Sequence, residues 1–186
     1  MEPRLIDGPD ALPDGEVVRR VLAGEAALFG ILVERYREEF GRYAAALVGD
    51  PDRAADAMQE AFIRAYRSLA SCRDFARVKA WFFRILTNQC HDQRARRRRE
   101  APLEGFDAPA RERADAAVMD GEVRDAIGAA LDRLTPEQRE AFVLRHVDGR
   151  SYEEMAAILG TGVDALKMRV YRARDALRQQ LEHLHE

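Results

Sequence analysis

Residues 151–177 read Ser-Tyr-Glu-Glu-Met-Ala-Ala-Ile-Leu-Gly-Thr-Gly-Val-Asp-Ala-Leu-Lys-Met-Arg-Val-Tyr-Arg-Ala-Arg-Asp-Ala-Leu. Ser151 at an N-cap with Glu154 three residues on makes a capping box, in which side chains satisfy the amide groups that a helix start leaves open. Met155 to Leu159 is the apolar body of a short helix, and Gly160-Thr161-Gly162 ends it, since glycine takes the left-handed conformation at least cost. A longer helix then runs from Val163 to about Leu181, with Val163, Leu166, Val170, Ala173 and Leu177 on one stripe. Upstream, Thr135-Pro136-Glu137-Gln138 opens another helix with the same capping logic and a proline at its first position. Two capped helices, a glycine turn and a basic helix after it are the pattern of a helix-turn-helix. Its polar side, with Lys167, Met168, Tyr171 and Arg172 and with Arg169 beside them, suits a DNA major groove. The plainer alternative is an amphipathic hairpin with solvated arginines. DNA binding is the better reading because caps, turn and basic face coincide.

Outward from this unit the apolar period stays helical and no run alternates like a strand, so the chain is all-α. Asp14 to Gly24 reads as a short helix. Glu25 to Val48 reads as a long one with Leu28, Phe29, Leu32, Tyr36, Phe40, Tyr43 and Leu47 along one face. Gly49-Asp50-Pro51 breaks it, with Asp50 placed to cap the next helix, which runs to about Leu69. There Ala55, Met58, Phe62, Tyr66 and Leu69 form the expected buried stripe, with Asp56, Glu60 and Arg64 away from it. After a loop at residues 70–76, a helix from about Arg77 to Arg99 carries Val78, Trp81, Phe82, Ile85, Leu86 and Gln89 on one side. Ala101 to about Ala117, with Pro102, Gly105 and Pro109, has no steady period and reads as an acidic linker. The expected organisation is two small helical domains, residues 1–100 and 118–186, joined by a flexible linker at residues 101–117, each with its own core.

The chain has 186 residues, 47% hydrophobic, and a net charge of −3 that conceals segregation. Residues 94–99 read Arg-Ala-Arg-Arg-Arg-Arg, the following stretch to Asp125 is acidic, and the last helix is basic again. Two basic surfaces can thus meet a polyanion while the chain stays acidic overall. The aromatic start of the same helix, Phe75 before it and Trp81 within it, fits single-stranded nucleic acid, held by charge on the backbone and rings on the bases. On spacing alone most of these rings belong to the core. No apolar run reaches membrane-spanning length and Met1 to Asp14 is polar, which points to a soluble cytoplasmic protein without membrane insertion. Cys72 and Cys90 lack a paired-ligand spacing. No metal, cofactor, catalytic constellation or small-molecule substrate is expected.

Four stretches in order resemble the extracytoplasmic-function sigma factors of the bacterial sigma-70 family. Val17 to Phe29 is similar to the family's opening helix, and Ala55-Asp56-Ala57-Met58-Gln59-Glu60-Ala61-Phe62-Ile63-Arg64-Ala65-Tyr66 to its polymerase-docking helix. Ala80 to Asn88 with Asp92 and the arginine run resembles its minus-ten helix, and Leu131 to Leu177 its minus-thirty-five domain. The resemblance implies a non-enzymatic initiation factor that binds core RNA polymerase, at the β′ clamp helices and the β flap, and promoter DNA. It is commonly held by an anti-sigma factor. It assigns Asp56, Gln59 and Glu60 to polymerase binding. Arg73, Phe75, Trp81, Arg84, Asn88 and Arg94 fall to the minus-ten element, and Lys167, Met168, Arg169, Tyr171 and Arg172 to the minus-thirty-five element. Ala57-Met58 stands where relatives have a leucine or valine, and Asp164 to Arg169 replaces a commoner small-residue pattern. No further domain is expected after Glu186. The competing reading, a stand-alone helix-turn-helix regulator, leaves the Asp56 to Tyr66 stretch and the aromatic-to-arginine helix without a role.

Overall fold

The structure, a computed structural model, describes residues 12–100 and 126–182, and every regular element among them is helical. The expected linker, residues 101–117, lies outside the described residues. Helix α1 (Asp14–Leu22) is followed by a 3₁₀ turn (Ala26–Leu28) and α2 (Phe29–Val48). The side chain of Asp14 ties α1 to α2 by pairing with Arg35 and accepting from the Tyr36 hydroxyl. All of the expected α2 stripe from Phe29 to Leu47 is buried, and Gly49 ends the helix at φ 77°, a left-handed conformation that a side chain would strain.

Asp50 then caps α3 (Pro51–Arg67), its carboxylate accepting from the amides of Asp52 and Arg53 at 3.1 and 3.0 Å. An Asp50→Ala substitution is expected to lower stability by about 1 kcal/mol, the usual cost of an N-cap, in urea unfolding followed by circular dichroism. The buried stripe of α3 is Ala54, Ala57, Ala61 and Ala65, one residue out of phase with the expected one. Ala55 is exposed, Met58 and Phe62 are half-buried, and Tyr66 is 46% exposed. Alanines let α3 approach α2 and α4 closely, while Phe62 leans across to stack on Phe40 with centroids 5.8 Å apart. Two 3₁₀ turns (Leu69–Ser71 and Phe75–Arg77) lead into α4 (Val78–Glu100). Phe82, Phe83, Leu86 and Cys90 of α4 complete a core in which Phe40 meets Tyr36, Phe62, Phe82 and Phe83. Inside it, the Tyr43 hydroxyl meets Thr87 Oγ1 at 3.0 Å, and Thr87 donates to the Phe83 carbonyl.

In the second unit, residues 126–132 form helix α5, followed by α6 (Pro136–Phe142), a π-helical turn (Val143–Val147), α7 (Tyr152–Leu159) and α8 (Val163–Leu181). Both capping boxes are present, Thr135 with Gln138 and Ser151 with Glu154, and Gly160 turns the chain at φ 64°. The Ser151 amide accepted by Glu154 holds that carboxyl below the usual carboxylate range.

The expectation of two separate cores is not what the described residues show. Val143, Leu144, Met155, Ile158, Leu166 and Val170 join α1–α4 in one continuous apolar cluster, and only a small second cluster, Ala130, Leu134, Ala173 and Leu177, belongs to the second unit alone. The π turn packs on α2 and α7 on α4. A linker's composition reports that the linker does not pack. It carries no information about whether the faces at its two ends do.

Candidate functional site

Three groups of side chains meet the requirements for binding a partner surface or nucleic acid. On α3, Asp56, Gln59 and Glu60 are all exposed on the side away from the alanine stripe. On α8, Leu166, Val170, Ala173 and Leu177 are buried, while Lys167, Met168, Tyr171 and Arg172 face solvent. Tyr171 is 66% exposed, unusual for so large a ring without a partner surface. Arg169 is half-buried and reaches Glu140 Oε1 at 3.4 Å, so its place is at the margin of that face.

The third group surrounds the start of α4. Arg73 is exposed and Phe75 half-buried in the connection between α3 and α4, where Asp74 caps the turn by accepting from the Ala76 amide. Gly15 of α1 backs this turn closely: a Cβ there would lie 3.1 Å from the Phe75 carbonyl oxygen, a tight contact that would push the turn outward by a few tenths of an ångström. Trp81 is half-buried, edge-on to Phe82 with centroids 5.4 Å apart. Arg84 and Asn88, one turn apart, are exposed, and a Cβ on Gly160 of the helix-turn-helix would come within 3.9 Å of Arg84 Nη1.

Arg94 departs from the expected face. It lies six residues beyond Asn88, about 240° around the helix, and is buried rather than presented with Arg84 and Asn88. Its Nη1 donates to the Leu47 carbonyl at 2.9 Å and its Nη2 to Asp132 Oδ1 at 3.1 Å. Around it runs a polar seam between the two units that sequence reading missed, because the hydrogen bonds that cross it join residues 38 to 93 positions apart. Arg139, 1% exposed, donates to the Ala46 carbonyl at 3.1 Å and to Asp132 Oδ1 at 2.5 Å. His91 Nε2 sits 2.9 Å from Glu140 Oε2. Arg150 pairs with Glu39, Asp148 and Glu154 and lies over the Phe83 ring, 4.9 Å from its centroid. No local signal marks the seam, since Arg139 sits among Glu137, Gln138 and Glu140 in a helix that reads as polar surface.

The cysteines are not poised for chemistry. Burial raises both thiols, Cys90 up to about 12, so neither is a thiolate at neutral pH. Among the described residues no His, Cys, Asp or Glu cluster could hold a metal ion, and no helix is long and apolar enough to cross a membrane.

Two exposed basic or aromatic faces, an acidic helix and a helix-turn-helix narrow the comparison with known proteins. Residues 32–100 match Sigma-70 region 2 and residues 124–177 match Sigma-70, region 4. The chain is 30% identical to the ECF RNA polymerase sigma-E factor of Escherichia coli (strain K12), covering 94% of this chain and 97% of that protein. It is 32% identical to the RNA polymerase sigma-H factor of Pseudomonas aeruginosa, over 92% and 95%. Among solved structures, CnrH in complex with the cytosolic domain of CnrY superposes with a TM-score of 0.69 at 26% identity, covering 92% of this chain and 99% of that one. The sigma factor RpoE in complex with the anti-sigma factor NepR from Bartonella quintana gives 0.60 at 29% identity, over 83% and 96%. The two regions fall on the two helical units, α2–α4 and the helix-turn-helix, in the same order. The chain therefore belongs to the extracytoplasmic-function sigma factors of the sigma-70 family, transcription initiation factors that direct RNA polymerase to promoters.

Proposed function

We propose that α3 docks the protein on the β′ clamp helices of core polymerase through Asp56, Gln59 and Glu60, and that the second unit also meets the β flap. The observation that carries this is the exposure of all three polar side chains on one side of a helix whose other side is fully committed to alanine packing. Residues 1–100 then act as the docking and minus-ten domain, and residues 118–186 as the minus-thirty-five domain. Arg73, Phe75, Trp81, Arg84 and Asn88 contact the minus-ten element, and Arg94 joins them once released from Leu47 and Asp132. Bases of one strand leave the stack there, and their capture offsets an unpairing cost of a few kcal/mol. The protein works by binding in the cytoplasm and catalyses nothing itself. The solved RpoE structure holds that sigma factor with the anti-sigma factor NepR, which supports an anti-sigma factor as a further partner here.

On α8, residues nearest the N-terminus of the helix approach base edges and those further along meet phosphates. The test reconstitutes core polymerase with this protein and measures initiation and binding on a panel of single-base promoter variants at several salt concentrations. Lys167→Ala is expected to change which minus-thirty-five bases are preferred. Arg172→Ala is expected to weaken all sites alike and lower the salt slope by about one unit, one phosphate contact being lost. A stand-alone regulator would bind these sites equally well without polymerase and support no initiation.

A further inference from the structure

Three guanidinium groups surround one carboxylate at the seam between the units. Asp132 Oδ1 accepts from Arg94 at 3.1 Å and from Arg139 at 2.5 Å, and Asp132 Oδ2 lies 4.0 Å from Arg97 Nη1. Arg94 and Arg97 come from α4, Arg139 and Asp132 from the second unit. Two of the arginines are simultaneously seated on the last carbonyls of α2, Leu47 for Arg94 and Ala46 for Arg139. Those carbonyls have no partner within their own helix and sit at its negative end, so the arginines cap it. Gly49 makes room for this: a Cβ there would lie 3.2 Å from Arg139 Nη2 and 3.9 Å from Arg97 Nη1. Three cations converging on a single acidic group is the donor arrangement that otherwise recognises a phosphate.

We infer that Asp132 is an internal stand-in for a DNA phosphate: in the free protein it occupies Arg94 and withholds it from nucleic acid, and the backbone of a promoter strand takes its place when the units part. The inference rests on the assignment of Arg94 to promoter DNA made above. Asp132 is suited to be displaced. Its side chain is 45% exposed, whereas Arg94 and Arg139 are 10% and 1% exposed, so the carboxylate can return to water at little cost while the arginines are left needing an anion. The basic run that looks like an open DNA surface in the sequence is thus partly closed in the folded chain. Asp132 holds its beginning, Arg94 and Arg97.

The test uses the full chain and a fluorescein-labelled single DNA strand of mixed sequence, with binding followed by anisotropy over a salt series. Asp132→Asn keeps the shape of the side chain and removes its charge; circular dichroism confirms the fold. This variant is expected to bind the strand several-fold more tightly than the parent at low salt and to steepen the salt slope by about 0.7, the value for one added phosphate contact on a single strand. Adding Arg94→Gln to it should abolish the gain. No gain with Asp132→Asn, or a gain that survives Arg94→Gln, overturns the inference, the latter because loss of any surface negative charge would do the same. A separate arm measures promoter binding by the polymerase holoenzyme. If Arg94→Gln has no effect there, the assignment of Arg94 to DNA fails. If it weakens binding there while Asp132→Asn leaves the free protein unchanged, that assignment stands and the stand-in role fails.

Discussion

A Phe40→Ala variant is expected to melt about 10 °C below the parent. Phe40 is fully buried and stacks on Tyr36 at 5.2 Å and Phe62 at 5.8 Å, meeting Phe83 edge-on at 4.6 Å. Its ring therefore joins α2, α3 and α4 at one point. Truncating a core phenylalanine costs about 3–5 kcal/mol, because the transfer free energy is lost and the surrounding rings cannot collapse into the void. For a chain of this size each kcal/mol moves the midpoint by about 2–4 °C. Phe40→Leu refills much of the space and should cost under about 1.5 kcal/mol. Thermal melts of the two variants beside the parent decide the matter. Equal midpoints for all three would mean that the rings do not form the centre of the core.

Glu60→Lys is expected to weaken binding to core polymerase by about 10–100-fold, or about 1.4–2.8 kcal/mol, while leaving the melt of the free protein in place. Glu60 and Asp56 stand one turn apart on the exposed side of α3, and neither contributes to the alanine stripe beneath. Reversing one charge replaces an attraction with a repulsion at a surface whose partner must be complementary. Titrating fluorescently labelled protein with core polymerase gives the affinity, and circular dichroism reports the fold. An unchanged affinity with an intact fold would remove α3 from the polymerase contact.

The helical starts were legible because their signals are local. Thr135, Ser151 and Asp50 each cap as their spacing implies, and Gly49 and Gly160 each end a helix where the apolar period stops. The faces of α2 and α8 were legible for a related reason: their buried positions are large and apolar, so hydropathy marks them. On α3 the same reasoning rotated the buried face by one residue, about 100°. Met58, Phe62 and Tyr66 outweigh alanines on any hydropathy reading, yet it is the alanines that close helix packing selects. Nothing local marks the π turn at Val143–Val147, whose shape is set by the packing of Val143 and Leu144 on α2. Of the candidate site, the exposed residues of α3 and α8 stand where periodicity put them. Arg94 does not, since its partners Leu47 and Asp132 are 47 and 38 residues away and an arginine run reads the same whether solvated or enclosed.

The shared core has a consequence for how the chain is made. The aromatic centre of α2–α4 is complete once Cys90 has been added, but the covering residues Val143, Leu144, Met155, Ile158, Leu166 and Val170 follow 53 to 80 positions later (143 − 90 and 170 − 90). At about 5–20 residues per second, the nascent chain spends several seconds with the outer side of that centre bare beside the ribosome. Arg94, too, waits 38 residues for Asp132, the carboxylate that holds it. The newborn sigma factor passes through a sticky, uncovered stage before its own C-terminal helices shield it, and any chaperone or regulator acting during translation meets the protein in that form.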